Sequence, residues 1–210
     1  MKIAVFGATG GTGSEFVQQA LSDGHDVTAI VRNPDTFSMR HFRLRKVAGD
    51  ALRPESFAEA LKGQDAVVST LGISSFLQSL RPMTFHRKTI RNLIEQMKAS
   101  GVGRLLCVTS TGVIHNSTAP LFYNLLIQPL LHNKYEDMRQ MEAGVQSSSL
   151  KWTIVRPFRL TNSPRRGHYR IATDGRLDNA GTIARADVSD FLLKSLNDGT
   201  HVHETVAIAY

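Results

Sequence analysis

The chain has 210 residues, 41% of them hydrophobic and 20% charged, with a formal net charge of +7. One α/β domain with a substantial core fits that length, and two full domains do not. The longest greasy segment, 119–131, is broken by Asn124, Gln128 and Pro129. It falls short of the roughly 18 apolar residues of a membrane span. Residues 1–6 are too short for a signal-peptide core, and the single Cys107 cannot form an intramolecular disulfide, so a reduced cytoplasmic setting is expected.

In chain order, Lys2-Ile-Ala-Val-Phe6 runs straight into Gly7-Ala-Thr-Gly10-Gly11-Thr-Gly13 and then an amphipathic stretch. Closely spaced glycines between an apolar run and a helix let the backbone turn sharply and approach phosphates. The first-turn N–H groups and the positive helix end then meet the negative charge. Phe16, Val17, Ala20 and Leu21 share one helical face, Gly24 stops the helix, and Asp26–Val31 reads as the next strand. That context marks a dinucleotide site.

The remaining pattern alternates strands and helices. It predicts strands at 2–6, 26–31, 45–48, 65–70, 104–109, 152–156, 168–172 and 204–208. Helices are predicted at 12–23, 54–62, 83–100, 133–147 and 186–197, with another helical stretch around 120–131. Central runs such as Ala66-Val-Val68, Leu105–Val108 and Thr153–Val155 are continuously apolar, as in parallel strands covered on both faces. The expectation is α/β: a single-domain doubly wound parallel sheet, or Rossmann fold, over 1–210, with a small substrate-side segment at about 157–210.

In such a sheet ligands lie at the carboxyl ends of the strands. The second strand ends in Arg32-Asn33-Pro34, where an acidic residue would select NAD and an arginine can hold a 2′-phosphate, so NADP is expected. The third ends in Gly49-Asp50 beside Ala51, and Asp50 either accepts from an adenine amino group or simply makes a turn. The fourth ends in Thr70-Leu71-Gly72, where the glycine admits close approach. The fifth ends in Thr109-Ser110-Thr111, placing hydroxyls near the nicotinamide, and the sixth in Arg156-Pro157-Phe158-Arg159.

Together these residues resemble the atypical short-chain dehydrogenases/reductases, through the Gly-x-x-Gly-x-x-Gly spacing of Gly7, Gly10 and Gly13. More narrowly, Val31-Arg32, Gly49-Asp50, Leu71-Gly72, Thr109-Ser110, Leu150-Lys-Trp152 and Gly167-x-Tyr169…Asp174-Gly-Arg176 are similar to the flavin reductase/biliverdin-IXβ reductase group. The resemblance implies that Gly7, Thr9, Gly10, Gly11, Thr12 and Gly13 form the pyrophosphate loop. It assigns Arg32 to the 2′-phosphate, Asp50 and Ala51 to the adenine side, and Leu71, Gly72, Thr109, Ser110, Pro157 and Phe158 to the ribose and nicotinamide. The group's loop glutamine is Gly11 here, and its nicotinamide-side histidine is replaced by Arg159, a permanent cation.

The superfamily's alcohol dehydrogenases use a Tyr-x-x-x-Lys pair for proton transfer. The nearest approach is Tyr135-Glu-Asp-Met-Arg139, and Tyr135 is expected on a helix surface. Hydride transfer to a flavin such as FMN, a quinone or a linear tetrapyrrole avoids the need for that donor. Such an acceptor needs a stacking slot and correct placement. Phe158, Phe76, Phe122 or Tyr123 could wall the slot, although each could equally pack the core. Ser110 and Arg159 are the candidate catalytic residues.

Other patterns carry less. The stretch Arg40-His-Phe-Arg43-Leu-Arg45-Lys46 lacks any accompanying nucleic-acid motif and reads as a solvated connection between strands. His201-Val-His203 puts two imidazoles on one strand face without a third ligand, so no metal is expected. Arg165-Arg166 either meets an anionic substrate or is solvated. A monomer or weak homodimer with a small-molecule acceptor is expected. The alternatives are a non-catalytic NADP-sensing regulator or assembly factor and, less well supported by the short C-terminal segment, a sugar-nucleotide isomerase or epimerase.

Overall fold

Alternation along the first strand sets the layers. A computed structural model describes residues 1–72, 83–114, 130–173, 177 and 180–210. In β1 (Lys2–Phe6), Ile3 and Val5 enter one core and Ala4 and Phe6 the other. Successive side chains point to opposite faces, so a strand apolar at every position must be covered on both. On the first face, α1 (Gly11–Ser22) and α5 (Arg185–Asn197) supply Phe16, Val17, Val188 and Leu192. On the second, α3 (Phe85–Ala99) and α4 (His132–Gln146) supply Leu93, Met97, Met141 and Val145.

The remaining strands of the main sheet are β2 (Asp26–Val31), β3 (Leu44–Ala48), β4 (Ala66–Ser69), β5 (Arg104–Val108), β6 (Lys151–Pro157), β8 (Arg170–Ala172) and β10 (Glu204–Ala209). Their order is β3-β2-β1-β4-β5-β6-β10-β8, and every pairing is parallel except that of the edge strand β8 with β10. The order reverses between β1 and β4, which places a topological switch point at the end of β1. This is the expected doubly wound Rossmann fold. Among the described residues, no helix is long and apolar enough to cross a membrane.

Two features differ from expectation. The helix expected at 54–62 divides into a tight turn, Pro54–Ser56, and the single turn α2 (Ala58–Leu61), because Pro54 opens the segment and Phe57 turns inward onto the Phe6 ring. A second, two-stranded sheet of β7 (Arg159–Thr161) and β9 (Thr182–Ala184) was not anticipated. At three residues each, these strands are too short for any periodicity to register. Most of the helical stretch around 120–131, with Phe122 and Tyr123, lies outside the described residues, as do Phe76, Asp174 and Arg176.

The second face is also held by a buried polar contact. Asp137 of α4 accepts from the His86 backbone N–H at 2.7 Å and faces His86 Nδ1 at 3.0 Å, while its other oxygen accepts from the Arg87 N–H at 3.3 Å. A carboxylate from one helix thereby satisfies free N–H groups at the start of another. Both side chains are buried, with exposures of 1% and 0%. Burial lowers the His86 pKa, and the Asp137 carboxylate opposes that shift only in part.

The unfolded chain therefore takes up the proton first as pH falls below 6.5, the unperturbed histidine value. His86 contributes stability above that pH and loses it on acidification. In urea unfolding at pH 7.5 and 5.5, the stability advantage of wild type over His86→Gln should narrow at the lower pH. A gap that widens instead would mean that Asp137 stabilises an imidazolium in the folded chain.

Candidate functional site

The glycine loop closes on itself at the end of β1. Gly7 has φ +82°, a left-handed conformation that glycine adopts without strain. Its carbonyl accepts from the Gly10 N–H at 2.9 Å, and the Ser14 N–H bonds to the Gly10 carbonyl at 2.8 Å. Ser14 is thus the first α1 residue paired in the helical pattern, and Gly11, Thr12 and Gly13 precede it with first-turn N–H groups. A Cβ on Gly13 would sit 2.1 Å from the Gly7 carbonyl oxygen and 2.6 Å from Thr70 Oγ1. Thr9, Gly10 and Gly11 are exposed, whereas Thr12 and Gly13 are buried. The result is an open concave backbone whose curvature no larger residue at position 13 would permit, a cradle of the kind that fits a pyrophosphate.

Arg32 leaves the end of β2 exposed and makes no side-chain hydrogen bond, ion pair or ring contact among the described residues. Asp50 is half-buried and uses Oδ1 to accept from the Leu52 N–H at 3.0 Å, the turn that was its alternative reading. Ala51 is buried, and its carbonyl accepts from Asn92 Nδ2 at 2.9 Å. Leu71 packs on the second core, and Gly72 is exposed with nothing among the described residues within 4 Å of where a Cβ would stand.

The exit of β5 divides its hydroxyls. Thr109 donates to Glu142 at 2.7 Å and is buried, so its hydroxyl is turned into the protein. Arg156 binds the same carboxylate through Nε at 3.0 Å and a second nitrogen at 2.5 Å. Ser110 instead accepts from the Gly112 N–H at 3.2 Å, which leaves its proton free to donate. Pro157 is buried, Phe158 is half-buried, and Arg159 is exposed at the start of β7 without a side-chain partner among the described residues.

Tyr135 is not on the helix surface. It is 7% exposed and clusters with Val113 and Met138. Its ring fills the space beside Gly112, where a Cβ would lie 2.2 Å from Cζ. The charged neighbours Glu136, Asp137 and Arg139 suggested solvent, but Asp137 faces α3. Arg139 donates to the Val113 carbonyl at 3.2 Å and pairs with Glu136. Tyr135 therefore stands against the turn that Ser110 opens.

The C-terminal segment hangs on two carboxylates of α5. Asp187, fully buried, accepts from the backbone N–H groups of Arg166 and Gly167 at 2.8–3.1 Å and from the Tyr210 hydroxyl at 2.5 Å. Tyr169 donates to Asp190 at 2.9 Å. Burial, reinforced by that carboxylate, pushes the Tyr169 hydroxyl above the ordinary tyrosine range, so it remains a protonated tether. Arg165 pairs with Asp190 at 3.5 Å, and Arg166 lies 4.0 Å from the Tyr210 ring centroid. His201 and His203 sit in the turn before β10 with φ 54° and 61°, not on a strand face. His201 pairs with Glu204, and His203 bonds to the Leu150 carbonyl. Among the described residues no cluster could hold a metal ion.

Sequence reasoning overlooked Arg185, whose side chain lies against Gly11, and gave Thr70 no role in the loop. The contacts around positions 13 and 72 generate opposite expectations for the same substitution. Gly13→Ala places a methyl group against backbone and should cost more than about 2 kcal/mol of stability. Gly72→Ala enters open space and should stay within roughly 0.5 kcal/mol. Chemical denaturation of both variants checks this, and equal stabilities would contradict the loop geometry.

Known proteins agree with the fold. The uncharacterised protein YwnB of Bacillus subtilis is 28% identical over 99% of this chain and 98% of its own length. A candidate NADH-flavin reductase from Streptococcus pneumoniae TIGR4 superposes with a TM-score of 0.77 at 23% identity, covering 100% of this chain and 99% of that one. ChuY, an anaerobillin reductase of Escherichia coli O157:H7, superposes with a TM-score of 0.81 at 21% identity, covering 100% and 97%. At such identities these two structures establish a shared fold. The NAD(P)H-binding family matches residues 7–199, from the first loop glycine to Gly199, and the chain belongs to that family.

Proposed function

We propose that the protein is an NADPH-dependent reductase of a conjugated acceptor: a flavin such as FMN, a quinone or a linear tetrapyrrole. The observation that carries the reaction class is the commitment of Arg139. It stands where the alcohol dehydrogenases have lysine, yet its guanidinium is spent on the Val113 carbonyl and Glu136. The Tyr-x-x-x-Lys arrangement, in which the lysine charge eases proton transfer from tyrosine to a developing alkoxide, is therefore not reproduced here. A conjugated acceptor spreads the incoming charge and takes its proton from water, so the site has mainly to bind and orient.

A bound dinucleotide supplies the hydride. The loop from Gly7 to Gly13 would hold its pyrophosphate and Arg32 its 2′-phosphate, with Asp50 and Ala51 toward the adenine. Leu71, Gly72, Thr109, Pro157 and Phe158 would border the ribose and nicotinamide. Ser110 has a hydroxyl proton to donate and Arg159 a free positive charge, so both suit an acceptor that gains electron density. The reductase names of the two structural neighbours support this reading.

The burial of Tyr135 beside the Ser110 turn favours a second reading, a carbonyl reductase using Tyr135 as acid. A panel of FMN, FAD, quinones, biliverdin and simple ketones, followed by loss of NADPH absorbance, separates the two. The expected outcome is turnover of a conjugated acceptor that Tyr135→Phe leaves nearly unchanged and Arg159→Ala weakens roughly tenfold in kcat/KM. Ketone turnover lost about a hundredfold or more in Tyr135→Phe would establish the second reading. NADPH binding with no turnover of any acceptor would favour the sensor.

Cofactor choice is tested separately. NADPH should bind at least about tenfold tighter than NADH, because a charge-assisted bidentate contact contributes on the order of 1.5–3 kcal/mol. Arg32→Ala should remove most of that difference, and equal affinities in the wild type would refute the assignment.

A further inference from the structure

We propose that Arg185 is a second phosphate-binding residue, closing over the pyrophosphate loop from the side opposite the loop's own backbone. The proposal rests on the dinucleotide reading above and adds a residue to it. Arg185 opens α5, far from the glycine loop in sequence, but its side chain lies directly on Gly11. A Cβ built on Gly11 would stand 2.6 Å from Arg185 Cδ and 2.9 Å from Nε. Glycine at position 11 is therefore what gives the arginine its place. The group that the chain resembles carries glutamine at this position, and a side chain there would displace the arginine from where it lies, so glycine and arginine go together.

The position is built by several elements. Parallel pairing sets Thr161 of β7 opposite Ala184 of β9, so Asn162 and Arg185 emerge side by side. Asn162 Oδ1 accepts from an Arg185 terminal nitrogen at 2.6 Å and fixes the direction of the guanidinium. Two further contacts clamp α5 to α1. Ser189 donates to the Thr12 carbonyl at 2.9 Å, and Gln19 donates to the Ala186 carbonyl at 2.9 Å. The arginine is thus held at a fixed offset from the loop.

Its charge argues for a ligand. A cation in the first turn of a helix faces the positive end of the dipole, which is unfavourable. Asp187, the acid in that turn, is occupied by the Arg166 and Gly167 N–H groups and by Tyr210. Among the described residues Arg185 makes no ion pair; its partner is the neutral Asn162. An anion on the loop within reach of the guanidinium's terminal nitrogens would relieve both deficits, and a pyrophosphate is the anion the dinucleotide reading puts there. Four of the five guanidinium N–H donors of an arginine remain for phosphate oxygens after one bond to Asn162.

The pyrophosphate is common to both nicotinamide dinucleotides, and that property separates Arg185 from Arg32. Fluorescence titrations with NADPH and with NADH would be run on wild type, Arg185→Ala, Arg185→Lys, Gly11→Gln and Arg32→Ala, each checked for an unchanged thermal midpoint. Arg185→Ala should weaken both cofactors by a similar factor, roughly tenfold, with their ratio preserved. Arg185→Lys should recover part of the loss, since it restores the charge without the fork. Gly11→Gln should imitate Arg185→Ala, and the double variant should lose little more than either alone, as expected for residues sharing one contact. Arg32→Ala should change the ratio. Unchanged affinities in Arg185→Ala, or a loss confined to NADPH, would overturn the proposal while leaving the cofactor reading intact. Unchanged cofactor affinity with a raised acceptor KM would place Arg185 on the acceptor and overturn it too. A folded wild type that binds neither dinucleotide would instead bring down the cofactor reading.

Discussion

The close approach of Thr70 to Gly7 and Gly13 is the contact on which the carboxyl edge of the sheet depends. Thr70 follows β4, and its N–H bonds to the Phe6 carbonyl at 3.0 Å, which extends the β1–β4 pairing one step past the last strand residue. Its hydroxyl lies 3.1 Å from the Phe6 carbonyl oxygen and 3.3 Å from that of Gly7. The same hydroxyl occupies volume that a Cβ at Gly7 or Gly13 would need. One small polar side chain thus binds the two strands at the switch point and sets how tightly the loop curls. Two of the three spaced glycines are required by protein–protein contact before any ligand is considered, and the conformational entropy they cost is exchanged for a backbone with outward-facing donors.

From that latch the geometry propagates to the substrate side. The curl fixes the start of α1, Thr12 receives the Ser189 hydroxyl, and α5 is positioned by α1 rather than by the sheet alone. Asp187 then reaches back to hold the loop at 166–167 and the final residue, Tyr210. Buried carboxylates are tolerable only when their oxygens are filled with donors, and Asp187 meets that condition with backbone and phenol donors together. Glu142 does the same on the opposite face, tying Thr109 and Arg156 to α4. On each face of the sheet, therefore, a buried acid orients the strand ends or loops beside it.

These long-range acids mark the boundary of what could be read from the chain. The doubly wound sheet was legible because period-2 runs apolar on both faces and period-3.6 helices are local signals. The glycine loop was legible because its steric demand is expressed at the positions that meet it. Tyr135 was misread for the complementary reason. A helix bearing Glu136, Asp137 and Arg139 looks solvated when each charge is taken alone, yet Asp137 is buried by His86, a partner 51 residues away. Thr109 and Ser110 show the same limit: adjacent hydroxyls at one strand exit go in opposite directions because Glu142, on another element, claims one of them. Arg185 escaped notice because the neighbours that give it a role, Gly11 and Asn162, lie on other elements.

The distribution of paired and unpaired cations connects the chain's basic character to its carboxyl edge. Several arginines elsewhere are engaged: Arg104 caps backbone carbonyls at the amino-terminal edge, Arg156 meets Glu142 and Arg165 meets Asp190. Among the described residues Arg32, Arg159 and Arg185 at the carboxyl edge make no ion pair, and Arg32 and Arg159 make no side-chain hydrogen bond either. Uncompensated cations on one rim repel one another and are tolerated because water screens them. A dinucleotide bearing two or three phosphates would supply the missing negative charge where the loop's N–H groups already face outward. On the proposed dinucleotide reading, part of the charge excess read from composition belongs to this rim, where it would attract an anionic ligand.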